Sequence, residues 1–93
     1  MAKLKLPKIK DKWMDDIRTL PKVEVTWTDA TIFDGWRRAD DIDRAGIDVI
    51  TLGWFLPPTK TEIKLGYSVT DDGKINELFI IPRAWVKKVR VLR

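Results

Sequence analysis

Cysteine and histidine are absent from this chain, and Ser68 is its only serine. Their absence excludes disulfides, thiolate chemistry and the Ser-His-Asp and Cys-His arrangements of nucleophilic catalysis. It also excludes the usual zinc sites, which need Cys or His ligands. No glycine-rich phosphate loop is present. No apolar run approaches the roughly 20 residues that a membrane helix needs. The start, Met1 to Lys10, alternates lysine with apolar residues and lacks the unbroken apolar stretch of a signal peptide. The expectation is a soluble cytoplasmic protein that is not an enzyme and that uses no cofactor and no metal. Carboxylates are the remaining route to chemistry. Asp40, Asp41 and Asp43 could hold Mg²⁺ or Ca²⁺, but they lack EF-hand spacing and read as a solvated acidic loop. Asp29 and Asp34 flank the segment after the first strand and read as turn and capping residues.

What is present is charge and tryptophan. The chain has 93 residues, the size of one domain, and five of them are Trp. Large rings let a short chain bury more apolar area than its length alone would allow. The net charge of +4 conceals a split. Residues 1–22 carry seven basic and three acidic groups, residues 23–81 six and eleven, and residues 82–93 five and none. An acidic body between two basic ends favours local basic contacts or end-to-body association over a general nucleic-acid surface.

Along the chain, residues 1–10 form a basic arm with Lys3, Lys5, Lys8 and Lys10 interleaved with Leu4, Leu6 and Ile9. Such an arm is either a solvated tail or a segment that orders against a partner. The remaining residues, 11–93, read as a single small domain. Within it, residues 11–20 predict a short helix, capped by Asp11, with Trp13, Ile17 and Leu20 on one face and Pro21 as its stop. Residues 23–28 alternate Val23, Val25 and Trp27 with Glu24, Thr26 and Thr28, the pattern of a half-buried strand. A long loop follows to Gly46, with a helical turn expected near residues 38–44. The second strand spans 48–56, with Ile50, Leu52, Trp54 and Leu56 on one face, and Pro57-Pro58 ends it. The third spans 61–70, with Ile63, Leu65, Tyr67 and Val69 inward. Asp71-Asp72-Gly73 turns the chain into a fourth strand at 75–81. Pro82 to Trp85 form a one-turn element before a fifth strand at 86–92, with Val89 and Val91 inward. This is a mostly β succession. Five short strands bury their apolar faces most economically as a small, strongly bent barrel. A single tight turn before the closing strand resembles SH3-like and Sm-like five-stranded barrels, and the short N-terminal helix favours the Sm-like variant.

The succession Val23-Glu24-Val25-Thr26-Trp27-Thr28-Asp29, Gly35-Trp36, Gly53-Trp54-Phe55, Ser68-Val69-Thr70-Asp71-Asp72-Gly73 and Ile81-Pro82, with Val86 and Val89, resembles small proteins encoded by bacteriophages and prophages. These share a W-x-D…G-W…S-x-x-D-x-G…I-P pattern, which this chain matches over about residues 23–93. The arm and helix of residues 1–22 depart from it in length. The resemblance implies a phage-type protein working in the host cell cytoplasm. It transfers no catalytic or binding residue.

Aromatics and cations supply the candidate contacts. Trp27, Trp54, Phe55, Tyr67 and Phe79 are read as mainly core residues, but Trp54 and Phe55 are adjacent in a strand and must point to opposite faces. Trp36 stands beside Arg37 and Arg38, a pairing of residue types enriched at binding hot spots. Lys87, Lys88 and Arg90, with Arg83 and Arg93 nearby, form a basic C-terminal strand suited to edge protection or phosphate contact. Three functions compete. The first is a binding or assembly module acting through protein–protein contact or self-association. The second is a nucleic-acid-binding barrel, for which no RNP, KH or helix-turn-helix signature is present. The third is an oligomeric sponge for a small anionic nucleotide.

Overall fold

Val23, Val25 and Trp27 are buried while Glu24, Thr26 and Thr28 are not, so the alternation read in the first strand sets its two faces. The computed structural model describes residues 4–29 and 47–93. Five antiparallel strands form one sheet: β1 (Lys22–Asp29), β2 (Ile47–Phe55), β3 (Glu62–Val69), β4 (Ile75–Pro82) and β5 (Val86–Val91). Their order across the sheet is β4-β3-β2-β1-β5. β4 and β5 are its edges, and the barrel expected from the sequence is not closed.

The sheet bends at one junction. β1 and β2 pair along eight positions, from Lys22–Trp54 to Asp29–Ile47. β2 and β3 pair only at Trp54–Gly66 and Phe55–Leu65. Beyond that row the two strands diverge, β2 staying with β1 and β3 with β4. Gly53 makes the close crossing. A Cβ there would stand 2.8 Å from the Gly66 carbonyl oxygen and 3.1 Å from the Leu65 Cβ. Phe55, Ile63, Leu65, Ile81, Val23 and Val25 are fully buried around this junction, and Trp27 and Val86 complete the core.

The arm is not a free tail. Leu4, Leu6 and Ile9 pack half-buried against the core while Lys5, Lys8 and Lys10 face outward. The predicted helix at 11–20 is replaced by two single 3₁₀ turns, Trp13–Asp15 and Ile17–Thr19. The cause is Asp16, whose extended backbone (φ −149°, ψ 98°) interrupts the run. Its carboxylate accepts from the Arg18 backbone N–H at 3.0 Å and caps the second turn. A short Asp side chain competes well for a local backbone donor, and here that wins over helix continuation. Asp11 does not act as the cap. The residue before the first turn is Lys12, without a side-chain cap bond.

Two turns follow the sequence reading. In the β3–β4 hairpin, Gly73 takes φ 88°, and Thr70 closes the turn by accepting from the Lys74 N–H on its hydroxyl at 2.8 Å. The turn Arg83–Trp85 leads directly into β5. Arg83 also clamps the β2–β3 connection, its N–H donating to the Thr61 carbonyl at 2.7 Å and its guanidinium to the Thr59 carbonyl at 3.0 Å. Tyr67 and Val91 lie at the rim of the core side: Val91 pairs with buried Val23 and the Tyr67 ring packs on Phe79 at 5.9 Å, and both stay partly open to solvent.

Glu77, in the middle of edge strand β4, has φ 55°. The left-handed region costs a non-glycine residue roughly 1–2 kcal/mol, whereas glycine loses roughly 0.5–1 kcal/mol of unfolded-state freedom. Glu77→Gly is therefore expected to raise the unfolding free energy by about 0.5–1 kcal/mol in urea titration. A drop in stability would show that the Glu77 backbone is not held in that region.

Candidate functional site

The register of the sheet brings together side chains that lie far apart in sequence. On the outer face, opposite the core, one row crosses four strands and ends on the residue just past β5. Leu92, whose N–H donates to the Lys22 carbonyl at 2.8 Å, is followed by Lys22, Trp54, Gly66 and Leu78. The next rows run Arg90–Glu24–Leu52 and Lys88–Thr26–Ile50. This placement decides which face of β2 looks outward. Ile50 and Leu52, the more apolar set, are 62% and 55% exposed, while Val49, Thr51, Gly53 and Phe55 face the core side. Of the adjacent pair, Phe55 is the buried one. Leu78 and Ile80 are also exposed, on β4.

At the point where β2 and β3 part, a shallow groove is lined by Lys22, Leu52, Gly53, Trp54, Tyr67 and Leu92. The Lys22 ammonium stands 5.7 Å from the centre of the Trp54 ring. This is within cation–π range, and among the described residues no carboxylate pairs with it. The Trp54 indole N–H is buried and meets no acceptor among the described residues. The Trp27 N–H, by contrast, donates to the Thr51 hydroxyl at 3.0 Å. Trp27 also sits in an aromatic series, stacked on Trp85 at 6.2 Å and tilted against Phe79 at 5.7 Å, with Tyr67 beyond at 5.9 Å.

The basic C-terminal strand is mostly spoken for. A bulge in β5, between the pairs Thr26–Lys88 and Trp27–Val86, puts both Lys87 and Lys88 beside the outer face. Lys87 donates to Asp48 at 3.0 Å, and the Thr28 hydroxyl donates to the same carboxylate at 3.0 Å. Arg90 donates to Glu24 at 2.9 Å. Hydrogen bonding from Lys87 and Thr28 holds the Asp48 carboxyl below its ordinary range. Hydrogen bonding from Arg90 does the same for Glu24 and raises the Arg90 guanidinium. Only Lys88 of the three cations has no bonded carboxylate among the described residues.

These pairs set a pH dependence. A carboxyl whose folded-state pKa is depressed contributes stability above its unfolded pKa and loses it as pH falls through the folded pKa. The thermal midpoint is therefore expected to hold above about pH 5 and to fall as pH drops from about 5 to about 2, between the unfolded and the lowered folded carboxyl ranges. The double variant Glu24→Gln, Asp48→Asn should show a shallower fall in the same melts. An equally steep fall would place the acid sensitivity elsewhere.

Trp36, Arg37, Arg38, Asp34, Asp40, Asp41, Asp43, Lys3 and the expected turn at 38–44 lie outside the described residues. Among the described residues no three carboxylates gather as a metal site, and no helix is long and apolar enough to cross a membrane. The sequence groups Ile50, Leu52 and Trp54 on one face of β2 without deciding its direction, and it does not show the groove beside Lys22. No protein-family model, curated protein or solved structure matches the chain.

Proposed function

We propose that this protein is a non-enzymatic binding module of phage type that acts by protein–protein contact through the outer face of its sheet. The observation that carries this reading is the exposure of Ile50 and Leu52 on one face of a small domain. Ile50 and Leu52 stand side by side on β2, bordered by Lys88 and the Arg90–Glu24 pair, and an exposed apolar pair rimmed by charge suits a protein contact. The edges are less suited to the task. β4 is kinked at Glu77 and β5 carries a bulge and charged side chains, and both features discourage strand addition. Lys87 and Arg90 already hold carboxylates, which favours a protein partner over nucleic acid or a polyphosphate ligand. The strand succession and the single turn before β5 support the SH3-like or Sm-like reading, and the cytoplasm of the host is the setting the phage resemblance implies.

The test is solution mass by light scattering together with affinity capture, on the wild-type chain and on the Ile50→Ser, Leu52→Ser double variant. A higher-mass species or a captured protein that disappears in the double variant supports the reading. A monomer that captures the same proteins with and without the substitutions contradicts it.

A further inference from the structure

We infer that the groove where β2 and β3 part is a docking site for an acidic peptide segment, one aliphatic side chain followed by a carboxylate. The inference rests on the protein-contact reading above and specifies its partner.

The groove offers about 190 Å³ and is open to solvent. That is less than the roughly 300–1,000 Å³ of a typical small-molecule or cofactor site. It matches one branched aliphatic side chain of a longer segment lying across the surface. Leu52 and Leu92 supply apolar side chains, the Gly53 backbone lines the base, and Trp54 and Tyr67 supply ring surface.

Charge selects what accompanies that side chain. Among the described residues Lys22 is the only cation lining the groove, and no described carboxylate neutralises it. Glu24, one row away on the same face, is held by Arg90 at 2.9 Å. A ligand carboxylate beside Lys22 therefore meets an unmatched positive charge. The Trp54 ring under the ammonium does not compete strongly, since a partly exposed cation–π contact is worth only about 0.5–1 kcal/mol. Base stacking is disfavoured, because Lys22 stands over the Trp54 ring that a base would use.

The experiment is an NMR titration of the ¹⁵N-labelled full chain with the peptide acetyl-Gly-Ser-Leu-Glu-Ser-Gly-amide and its Gln-for-Glu counterpart. Saturable shifts are expected at Lys22, Leu52, Gly53 and Trp54. The Gln peptide should bind about three- to fivefold more weakly, as for a solvent-exposed ion pair. Lys22→Gln should weaken the Glu peptide by a similar factor and abolish the difference between the two peptides, since the coupling belongs to that pair. Leu52→Ser, at an exposed position, should weaken both peptides alike. Absence of saturable shifts, shifts confined to other residues, or a Glu/Gln difference that survives Lys22→Gln would overturn the inference. So would concentration-dependent shifts of the groove residues without peptide, which would make a second copy the occupant. A chain that associates through Ile50 and Leu52 but ignores both peptides keeps the module reading and loses this one.

Discussion

Phe55→Ala is expected to lower the unfolding free energy by about 3–5 kcal/mol, the range for truncating a large buried ring. Phe55 is fully buried and occupies the junction where the two arms of the sheet meet. It faces Leu65 across one of only two β2–β3 pairs, and its N–H donates to the Pro21 carbonyl at 2.7 Å. A cavity there cannot be filled by sliding one strand, because β1 and β3 fix it from both sides. A chain of this length has a total stability of roughly 5–14 kcal/mol, so the loss removes a large part of it. Urea titration measures it directly. A cost under about 1 kcal/mol would mean that Phe55 is not at the centre of the core, because exposed positions give values of that size.

Gly53→Ala is the second large effect. The added methyl meets the Gly66 carbonyl oxygen at 2.8 Å and the Leu65 Cβ at 3.1 Å, both fixed by the β3 backbone. Neither can swing aside as a flexible side chain would. Overpacking of this kind costs about 1–3 kcal/mol, and the upper end is expected where backbone meets backbone. The damage should also be local. With only two pairs joining β2 to β3, a widened crossing loosens the β3–β4 hairpin before the β2-β1-β5 part. Hydrogen exchange should show protection falling first at residues such as Leu65 and Ile81 and persisting at Val25. Gly66→Ala offers a contrast. Its Cβ would meet the Ile75 Cγ2 at 2.6 Å, a side chain that can shift. Unchanged stability and exchange in Gly53→Ala would rule out the close crossing.

The sequence carried some of this and hid the rest for physical reasons. β1 was legible because its two faces differ in chemistry, Val23, Val25 and Trp27 against Glu24, Thr26 and Thr28. The β3–β4 turn was legible because Asp71-Asp72-Gly73 offers a glycine where a positive φ is needed. β2 was not, because both of its faces hold apolar residues and the outward set, Ile50, Leu52 and Trp54, is the more hydrophobic. Pairing decides that face: Val23 opposes Gly53 and Val25 opposes Thr51, so the buried side of β1 selects the less apolar side of β2. The N-terminal helix failed through one residue, Asp16, whose capping bond outweighs a helical face of three apolar side chains. The bulge that sets Lys87 and Lys88 beside one face leaves no trace in composition. Of the candidate site, Lys22 and Trp54 stand 32 positions apart, and only the strand register makes them neighbours.

The face assignment of β2 underlies both the proposed contact surface and the groove. The most direct measurement is the urea unfolding free energy of the Ile50→Ser, Leu52→Ser double variant. With both side chains on the outer face, the change is expected to stay within about 1 kcal/mol, since exposed substitutions usually fall within about 0.5 kcal/mol each. A loss of about 4 kcal/mol or more, the combined cost of truncating two core aliphatic residues, would contradict the account and return Ile50 and Leu52 to the interior.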